Sequence, residues 1–511
     1  MTTPDDITTL AADSLSAAIH SRTLSCREVM QAYLARIHRL NPHFNAIVNL
    51  ARDEDLLQQA DARDAELARG HWRGWLHGMP QAIKDTGHAI GFATTYGSPL
   101  LKDAVATQDS LMTARMKAAG CIVIGKTNMP EFGLGSHTFN TLFGATRNAW
   151  GASVSAGGSS GGAAVALAQR LLPVADGSDF MGSLRNPAAW NNVFGLRPSQ
   201  GRVPFWPASD VWVSQLGTEG PMARSVTDLT QLLAIQAGHD ARVPLSIDSA
   251  FVPPVFDGST AALKGLRIGW LGDLGGHLAL EPGIAALCEQ ALLRCEGEGA
   301  QVETLMKPGF DANAVWRAWL VWRGALVAPR IAPLLQRDAA ARELIKPEAL
   351  WEHDQAQGTN VTDLMRASET RSTFLQQLLA LFDRVDVLAL PTAQVWPFAI
   401  EDRWPTQIAG RAMDTYHRWM EVTLYATFAG LPAISVPAGF HANGRWPGGL
   451  QLIGRPRGDA QLLRIAAAYE CTIGELMAHC PGEPVPREEQ ARKAPADIDR
   501  RRGGRGRAQG V

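Results

Sequence analysis

Two serines in glycine-rich turns are the residues of this 511-residue chain best suited to chemistry. Ser159 lies in the turn GGSSGG and Ser183 in the turn DFMGS, 24 positions further on, with an alanine-rich helix predicted between them. Glycine and serine at this density suit a place where the backbone approaches a ligand closely and several amides point at one spot. These residues alone leave three interpretations open: a phosphate cradle, an acyl-transfer site or only a pair of tight turns.

A second pattern, GCIVIGKT at 120–127, matches the phosphate-loop signature, but its context argues against nucleotide binding. A phosphate loop needs flexible residues between its glycines, so that successive amides can wrap the phosphates. Here the intervening residues are Cys-Ile-Val-Ile, which are typical of a buried strand, and Pro130 follows where a helix should begin. We therefore interpret 121–125 as a strand.

An acyl-transfer site needs a base for its serine nucleophile and donors for the oxyanion. The turn before and at the second serine offers four candidate amide donors: Phe180, Met181, Gly182 and Ser183. No histidine accompanies either serine in a G-x-S-x-G elbow, so an α/β-hydrolase triad is not indicated. Lys84, which follows a short apolar strand in MPQAIKDTG, can act as the base if burial lowers its pKa. Composition alone would place this lysine at the surface.

Taken in chain order, the motifs resemble those of the amidase-signature family. They are Lys84-Asp85, KTNMPEF at 126–132, GGSSGG at 157–162, GSDFMGSLR at 177–185, GLRPS at 195–199, GRVP at 201–204, GPMARSV at 220–226, LPAISVPAGF at 431–440 and GLQLIG at 449–454. The resemblance extends from about residue 10 to 472 and is loosest over 240–420. No single motif is specific, but the combination is.

The resemblance implies roles for the catalytic residues. Ser183 would be the nucleophile, Ser159, with a cis peptide bond, would relay the proton, and Lys84 would be the base. The implied reaction is hydrolysis of the C–N bond of a small neutral aryl or alkyl amide through an acyl-enzyme, without a cofactor or a metal. We interpret Asp179 and Arg185, which flank the nucleophile, as an ion pair that fixes the turn.

The chain departs from the family pattern close to the nucleophile. Met181-Gly182 stands where the family usually has two glycines, and Trp190 and Asn191 stand where small residues are common. We name Trp190 and Asn191 as candidate substrate contacts. The stretch DFMGSLRNPAAWNN is similar to urethanases of the family, which split carbamates of aromatic amines as well as amides, and this similarity predicts carbamate hydrolysis.

The elements that must position these residues alternate between strands and helices, which predicts an α/β fold. The resemblance implies one large catalytic domain over 1–480, with a mixed twisted central sheet covered by helices on both faces. Strands are predicted at 121–125, 387–390, 433–440 and 449–454, and a helix near 460–472. We expect the start and the end of the chain to share one sheet.

The N-terminal region is predicted to form helices. Ser25 and Glu28 form an S-x-x-E capping box, and apolar residues follow at helical spacing. We expect this helix to end at Asn41-Pro42, because proline interrupts a helix.

The tryptophan-rich segment 240–420 is expected to form the substrate pocket. Trp316, Trp319 and Trp322 recur at i, i+3 and i+6, which places them near one stripe of a helix. Core packing is the more ordinary interpretation, because aromatic side chains dominate cores. The alternative is a wall over an aromatic or alkyl substrate, for which we name Trp316 and Trp319.

Bulk composition excludes several function classes. The formal net charge is -2, so we expect no nucleic-acid or membrane partner for the main body. The six cysteines are scattered without a CxxC pair, which argues against disulfides and zinc and favours a cytoplasmic location. We expect a monomer or homodimer, with a disordered basic tail over 481–511.

Two other functions stay open. The first is the glutamine-hydrolysing component of a tRNA-dependent amidotransferase, although the aromatic-rich segment favours apolar substrates. The second is a catalytically inactive binding protein on the same scaffold, against which intact Lys84, Ser159 and Ser183 argue.

Overall fold

The computed structural model describes residues 4–305, 307–337 and 340–483. Its strands are β1 Ile47–Val48, β2 Pro80–Lys84, β3 Ile122–Thr127, β4 Arg147–Asn148, β5 Gly151–Ser155, β6 Ala175–Asp179, β7 Phe194–Arg197, β8 Thr218–Ala223, β9 Arg267–Trp270, β10 Gln301–Thr304, β11 Val387–Pro391, β12 Gln407–Ile408, β13 Arg411–Ala412, β14 Ala433–Phe440 and β15 Pro447–Ile453. Its helices are α1 Pro4–Thr9, α2 Ala12–His20, α3 Cys26–Phe44, α4 Asp53–Ala68, α5 Leu111–Ala118, α6 Gly161–Ala168, α7 Arg185–Asn191, α8 Val226–Gln236, α9 Ile284–Gly297, α10 Ala312–Arg337, α11 Ala341–Leu344, α12 Pro347–Ala356, α13 Val361–Leu381, α14 Leu424–Ala429, α15 Asp459–Glu470 and α16 Gly474–Ala478.

A mixed sheet of eight strands forms the centre of the fold, in the order β10-β9-β11-β15-β14-β7-β8-β6. The pairs β10–β9 and β9–β11 are parallel, and every later pair is antiparallel. Helices flank this sheet, which confirms the predicted α/β class in a single domain. The four strands predicted around 121–125, 387–390, 433–440 and 449–454 are all present, as is the helix near 460–472.

The start of the chain does not join the large sheet. β2 and β3 pair in parallel, and β1 pairs with β3 on its other side, which makes a separate sheet of three strands. Because both sides of β3 are occupied, it cannot extend the larger sheet. The expectation of one shared sheet is therefore wrong for β2 and β3, although β6, β7 and β8 do share a sheet with β14 and β15.

Helix α3 begins as predicted and ends later than predicted. The capping box of Ser25 and Glu28 is formed. The helix passes through Pro42 and ends at Phe44, because the amide of Asn45 bonds to the carbonyl of Asn41 at 2.7 Å in the turn after the proline. Asn45 has a left-handed backbone with φ 54°, which stops the helix.

Three hydrophobic clusters fill the interior of the described residues, and two of them are large. One packs the N-terminal helices against β3, β7 and β14, and the other packs α10 and α13 against the far side of the large sheet. The second cluster includes Met181, Trp190, Trp316, Trp319 and Trp322, so the segment 240–420 packs against the part of the chain that carries Ser183.

The predicted disordered tail falls mostly on 484–511, which lies outside the described residues. Within the part of the chain that the structure describes, no helix is long and apolar enough to cross a membrane.

Candidate active site

Lys84 is the last residue of β2, and its side chain is buried. Its Nζ lies within hydrogen-bond distance of three hydroxyl oxygens: 2.8 Å from Ser159 Oγ, 2.9 Å from Ser160 Oγ and 2.9 Å from Ser178 Oγ. The backbone amide of Lys84 donates to Asp176 Oδ2 at 3.0 Å, which joins the small sheet to β6 of the large one. The predicted base therefore touches the first serine turn directly.

The two serine turns are joined to each other. The peptide bond between Gly158 and Ser159 is cis, and helix α6 starts two residues later. The amide of Ser160 donates to the carbonyl of Ser183 at 3.2 Å. Ser159 and Ser183 are both buried, at 3% and 5% exposure. The structure thus brings Lys84, Ser159 and Ser183 into one neighbourhood.

Asp179 organises the turn that carries Ser183. It accepts the amide of Gly182 at 2.9 Å and the amide of Leu184 at 3.3 Å. Gly182 has φ +84°, and a Cβ there would lie 2.5 Å from Thr423 Oγ1, so the position needs glycine. Because the Gly182 amide is engaged by Asp179, it is unsuited to the oxyanion role that we predicted for it. The amides of Phe180, Met181 and Ser183 stay candidates.

The ion pair predicted between Asp179 and Arg185 is confirmed. Arg185 Nε and Nη2 each donate to the carboxylate at 3.0 Å, and Arg197 Nη1 lies 3.4 Å from Asp179 Oδ1. Arg185 is fully buried and also donates to Gln451 Oε1 at 2.7 Å. Burial alone would raise the pKa of Asp179, but the two guanidinium groups hold that pKa far below its usual range. The pair fixes the turn to the sheet.

The environment of Lys84 favours its neutral form. Burial lowers the pKa of Lys84 to about 7, although the carboxylates of Asp176, Asp179 and Glu219 oppose the shift. A lysine near this pKa can accept a proton at neutral pH, which an ordinary surface lysine cannot do.

Several residues that surround Lys84 were not predicted from the sequence. Ser178 and Asp176 alternate along β6, and Glu219 is the cross-strand partner of Ser178 on β8. Burial raises the pKa of Asp176 to about 6, and burial together with Asp176 raises the pKa of Glu219 to about 8. The alternating polar residues of the buried strand ADGSD were the available signal, because alternate residues share one face of a strand.

The tryptophans of α10 pack in the interior, which supports the core interpretation for all three. Trp319 also adjoins the turn that carries Ser183, since its ring centroid lies 5.6 Å from that of Phe180. Trp316 lies further away, with its ring 5.2 Å from that of His417 and beneath Arg418. Of the two predicted wall residues, Trp319 therefore contacts the turn of Ser183, whereas Trp316 packs against His417 and Arg418.

The contacts of Trp190 and Asn191 do not support a role in substrate binding. The Asn191 side chain donates to the carbonyls of Ala156 and Pro187 and accepts from the amide of Ala149, so its polar atoms are engaged by backbone. Trp190 is buried and stacks on Trp419 at 5.8 Å. Both residues hold the scaffold behind the turn.

The phosphate-loop match is a buried strand, as predicted. Residues 122–127 form β3, and the Lys126 ammonium donates to the carbonyl of Gly87 inside the protein. Among the described residues, no group of three or more His, Cys, Asp or Glu side chains could hold a metal ion.

The fold and the motifs define an amidase, and the comparison with known families agrees. The family model described as Amidase matches residues 28–463, so the chain belongs to the amidase-signature family of enzymes acting on C–N amide bonds.

Among individual proteins, the chain is 35% identical over 464 residues to an acylamidase of Rhodococcus erythropolis, covering 90% of this chain and 95% of that protein. It is 34% identical over 467 residues to a component of the glutamyl-tRNA(Gln) amidotransferase of Thermosynechococcus vestitus, covering 88% and 95%. The solved structure of a bacterial aryl acylamidase of the same family superposes with a TM-score of 0.85 at 29% identity, covering 93% of this chain and 99% of that one.

Proposed function

We propose that this enzyme hydrolyses the C–N bond of small neutral aryl or alkyl amides, and of aryl carbamates, using Lys84, Ser159 and Ser183. The observation that carries the proposal is the buried contact of 2.8 Å between Lys84 Nζ and Ser159 Oγ, in a turn bonded to the turn of Ser183.

A neutral lysine fits the three hydroxyl contacts of Lys84. A neutral amine has two N–H groups and one lone pair, so it can donate to Ser160 and Ser178 while it accepts the proton of Ser159. In the proposed cycle, Lys84 takes this proton as Ser159 takes the proton of Ser183.

The Ser183 oxygen then forms a bond to the substrate carbonyl carbon, and the amides of Phe180, Met181 and Ser183 are available to the oxyanion. As the C–N bond breaks, the proton returns through Ser159 to the leaving nitrogen. Water repeats the sequence on the acyl-enzyme, which releases the acid and restores Ser183.

The apolar surroundings of the turn support an aryl or alkyl substrate. Phe180 is covered by Trp319, and Met181 lies in the same cluster. The acylamidase of Rhodococcus erythropolis and the structural match to an aryl acylamidase support the same substrate class. The similarity to the amidotransferase component keeps glutamine hydrolysis as the second candidate, and it would need partner proteins and tRNA.

The test is a substrate panel with the purified chain alone: 4-nitroacetanilide, an aliphatic amide, an aryl ester, an aryl carbamate and L-glutamine. We expect anilide hydrolysis that the Ser183→Ala variant lacks. Release of ammonia from glutamine without anilide hydrolysis would favour the amidotransferase function. Anilide hydrolysis without carbamate cleavage would remove only the carbamate part, and no turnover of any substrate would favour a binding protein.

A further inference from the structure

A buried charged cluster lies outside the contacts of Lys84 and has no part in the cycle above. Arg323 of α10 donates through Nε to Glu352 of α12 and through Nη2 to Tyr416 Oη at 2.6 Å. Tyr416 Oη in turn donates to Glu352 Oε1 at 2.6 Å. Arg323 and Glu352 are each 2% exposed. Because a buried charge needs a partner with good geometry, this triangle fixes the position of the guanidinium group.

The remaining face of that guanidinium group meets the catalytic turn. Arg323 Nη1 lies 3.9 Å from the sulfur of Met181, within the range of a weak hydrogen bond to a thioether. Its central carbon lies 5.3 Å from the ring centroid of Phe180, in cation–π range. Trp319, one turn earlier on α10, covers the same ring. Both side chains between Asp179 and Gly182 are therefore held from α10.

The contact of Arg323 with the turn matters because Asp179 holds only some of the backbone amides of that turn. Asp179 binds the amides of Gly182 and Leu184 but does not bind those of Phe180 and Met181. These two amides are the candidate oxyanion donors that precede Ser183. Their direction depends on the backbone of 180–181, whose side chains are the ones that Arg323 and Trp319 hold.

We propose that Arg323, fixed by Glu352 and Tyr416, is a positioning residue that aims the amides of Phe180 and Met181 at the oxyanion of the reaction proposed above. The thioether of Met181 is the point of attachment. This explains how the chain keeps a defined turn with methionine at a position where its family usually has glycine.

The experiment compares the double variant Arg323→Met/Glu352→Gln with the wild type. Changing both residues avoids a buried, unpaired carboxylate. We expect kcat for 4-nitroacetanilide to fall roughly tenfold to hundredfold with KM changed less than about threefold, since deleting one oxyanion donor outright lowers kcat by ~10²–10³. Arg371→Met is the matched control, because Arg371 also covers aromatic rings, those of Trp322 and Phe428. It should lower Tm without this change in kcat.

A second comparison asks whether Arg323 acts through Met181. In a Met181→Gly background, the double variant should lower kcat less than about threefold, because the attachment is gone. An equal loss in both backgrounds would show that Arg323 does not act through Met181. A lower Tm with an unchanged kcat in the double variant would show that the cluster of Arg323, Glu352 and Tyr416 is purely structural. Either result overturns the proposal.

Labelling of Ser183 by a small alkyl fluorophosphonate, followed by mass spectrometry, separates this inference from the proposed function. Slower labelling of the Arg323→Met/Glu352→Gln variant supports positioning even if the substrate class is wrong. Equal labelling rates refute positioning and leave the nucleophile in place. A wild-type chain that neither labels at Ser183 nor hydrolyses amides would overturn both proposals.

Discussion

The chemistry of Lys84 follows from where its ammonium group is buried. Burial penalises the charged form, and the three hydroxyl contacts suit an amine with one lone pair and two N–H groups. The fraction of neutral Lys84 therefore rises as pH rises through its pKa of about 7. A base must be neutral to accept a proton, so activity should be lost on the acid side of this pH.

The first prediction concerns the pH profile. We expect kcat/KM for an anilide to fall below pH ~7, with an inflection that belongs to Lys84. Lys84→Met, whose side chain is similar in length but has no amine, should lose more than about a hundredfold in kcat/KM and should show no such inflection. Persistence of the acid limb in this variant would assign it to another group.

The second prediction separates the neighbouring serines. Ser183→Ala should lose more than about a hundredfold in kcat, because it removes the bond-forming oxygen. Ser160→Ala is the matched comparison: it removes one hydrogen bond of Lys84 at 2.9 Å and should cost at most about tenfold. Steady-state rates on one anilide, with circular dichroism to check folding, measure both. Equal losses would contradict the assigned roles.

At the scale of elements, the register of two strands places the acidic groups around Lys84. Ser178 on β6 and Glu219 on β8 are directly paired, and paired residues of antiparallel strands project to the same face. Asp176, two residues earlier on β6, shares that face. Lys126 on β3 is the other nearby cation, and burial lowers its pKa to about 8. The strands thus surround Lys84 with groups that tune its proton affinity.

The third prediction follows from this register. Asp176 favours the protonated form of Lys84 and, with a pKa of about 6, is charged at pH 7, so Asp176→Asn should lower the pKa of Lys84 and move the acid limb of kcat/KM to lower pH. Glu470→Gln is the matched control, because Glu470 is also a carboxyl with a raised pKa, of about 7, but it binds the amide of Val226. The control should leave the limb in place. An upward shift in Asp176→Asn would contradict the electrostatic assignment.

The elements themselves were predictable where the signal is local. Ile122–Thr127 and Ala433–Phe440 are rich in apolar and β-branched residues, which favours a buried strand. The end of α3 was misjudged because Pro42 was treated as a stop. The Asn41 carbonyl bonds to the amide of Asn45 beyond it, which the sequence pattern does not reveal.

At the scale of the molecule, α10 connects two parts of the chain that are far apart in sequence. Arg323 and Met181 are separated by 142 positions, and their contact connects the tryptophan-rich segment to the turn that carries Ser183. The segment 240–420 also supplies β9, β10 and β11 to the large sheet. It is therefore part of the central architecture as well as the expected pocket region.

The fourth prediction concerns the thiols of the whole molecule. Cys26, Cys121, Cys288 and Cys295 are buried, and burial raises the pKa of each, which suppresses the reactive thiolate. Cys471 and Cys480 are exposed. We expect two thiols to react rapidly with Ellman's reagent in the native protein, and all six after denaturation without a reductant. Fewer than six after denaturation would indicate a disulfide.

The sequence by itself supplied the chemical candidates through local signals, and the resemblance of its motifs to the amidase-signature family supplied their expected roles. The glycine-rich turns of Ser159 and Ser183, and the short strand before Lys84, are recognisable from neighbouring residues alone. It did not determine that Asp179 engages the amide of Gly182, since a turn's internal hydrogen bonds depend on its exact backbone angles.

Only the tertiary structure decided what surrounds those candidates. Strand register faces Glu219 and Ser178 towards Lys84, and helix packing brings Arg323 onto Met181. Such contacts join residues tens to hundreds of positions apart, and a shift of one residue in register would turn each strand's side chains to the opposite face. For that reason the candidate nucleophile and base were recognisable in the sequence, whereas the groups that surround them in the fold were not.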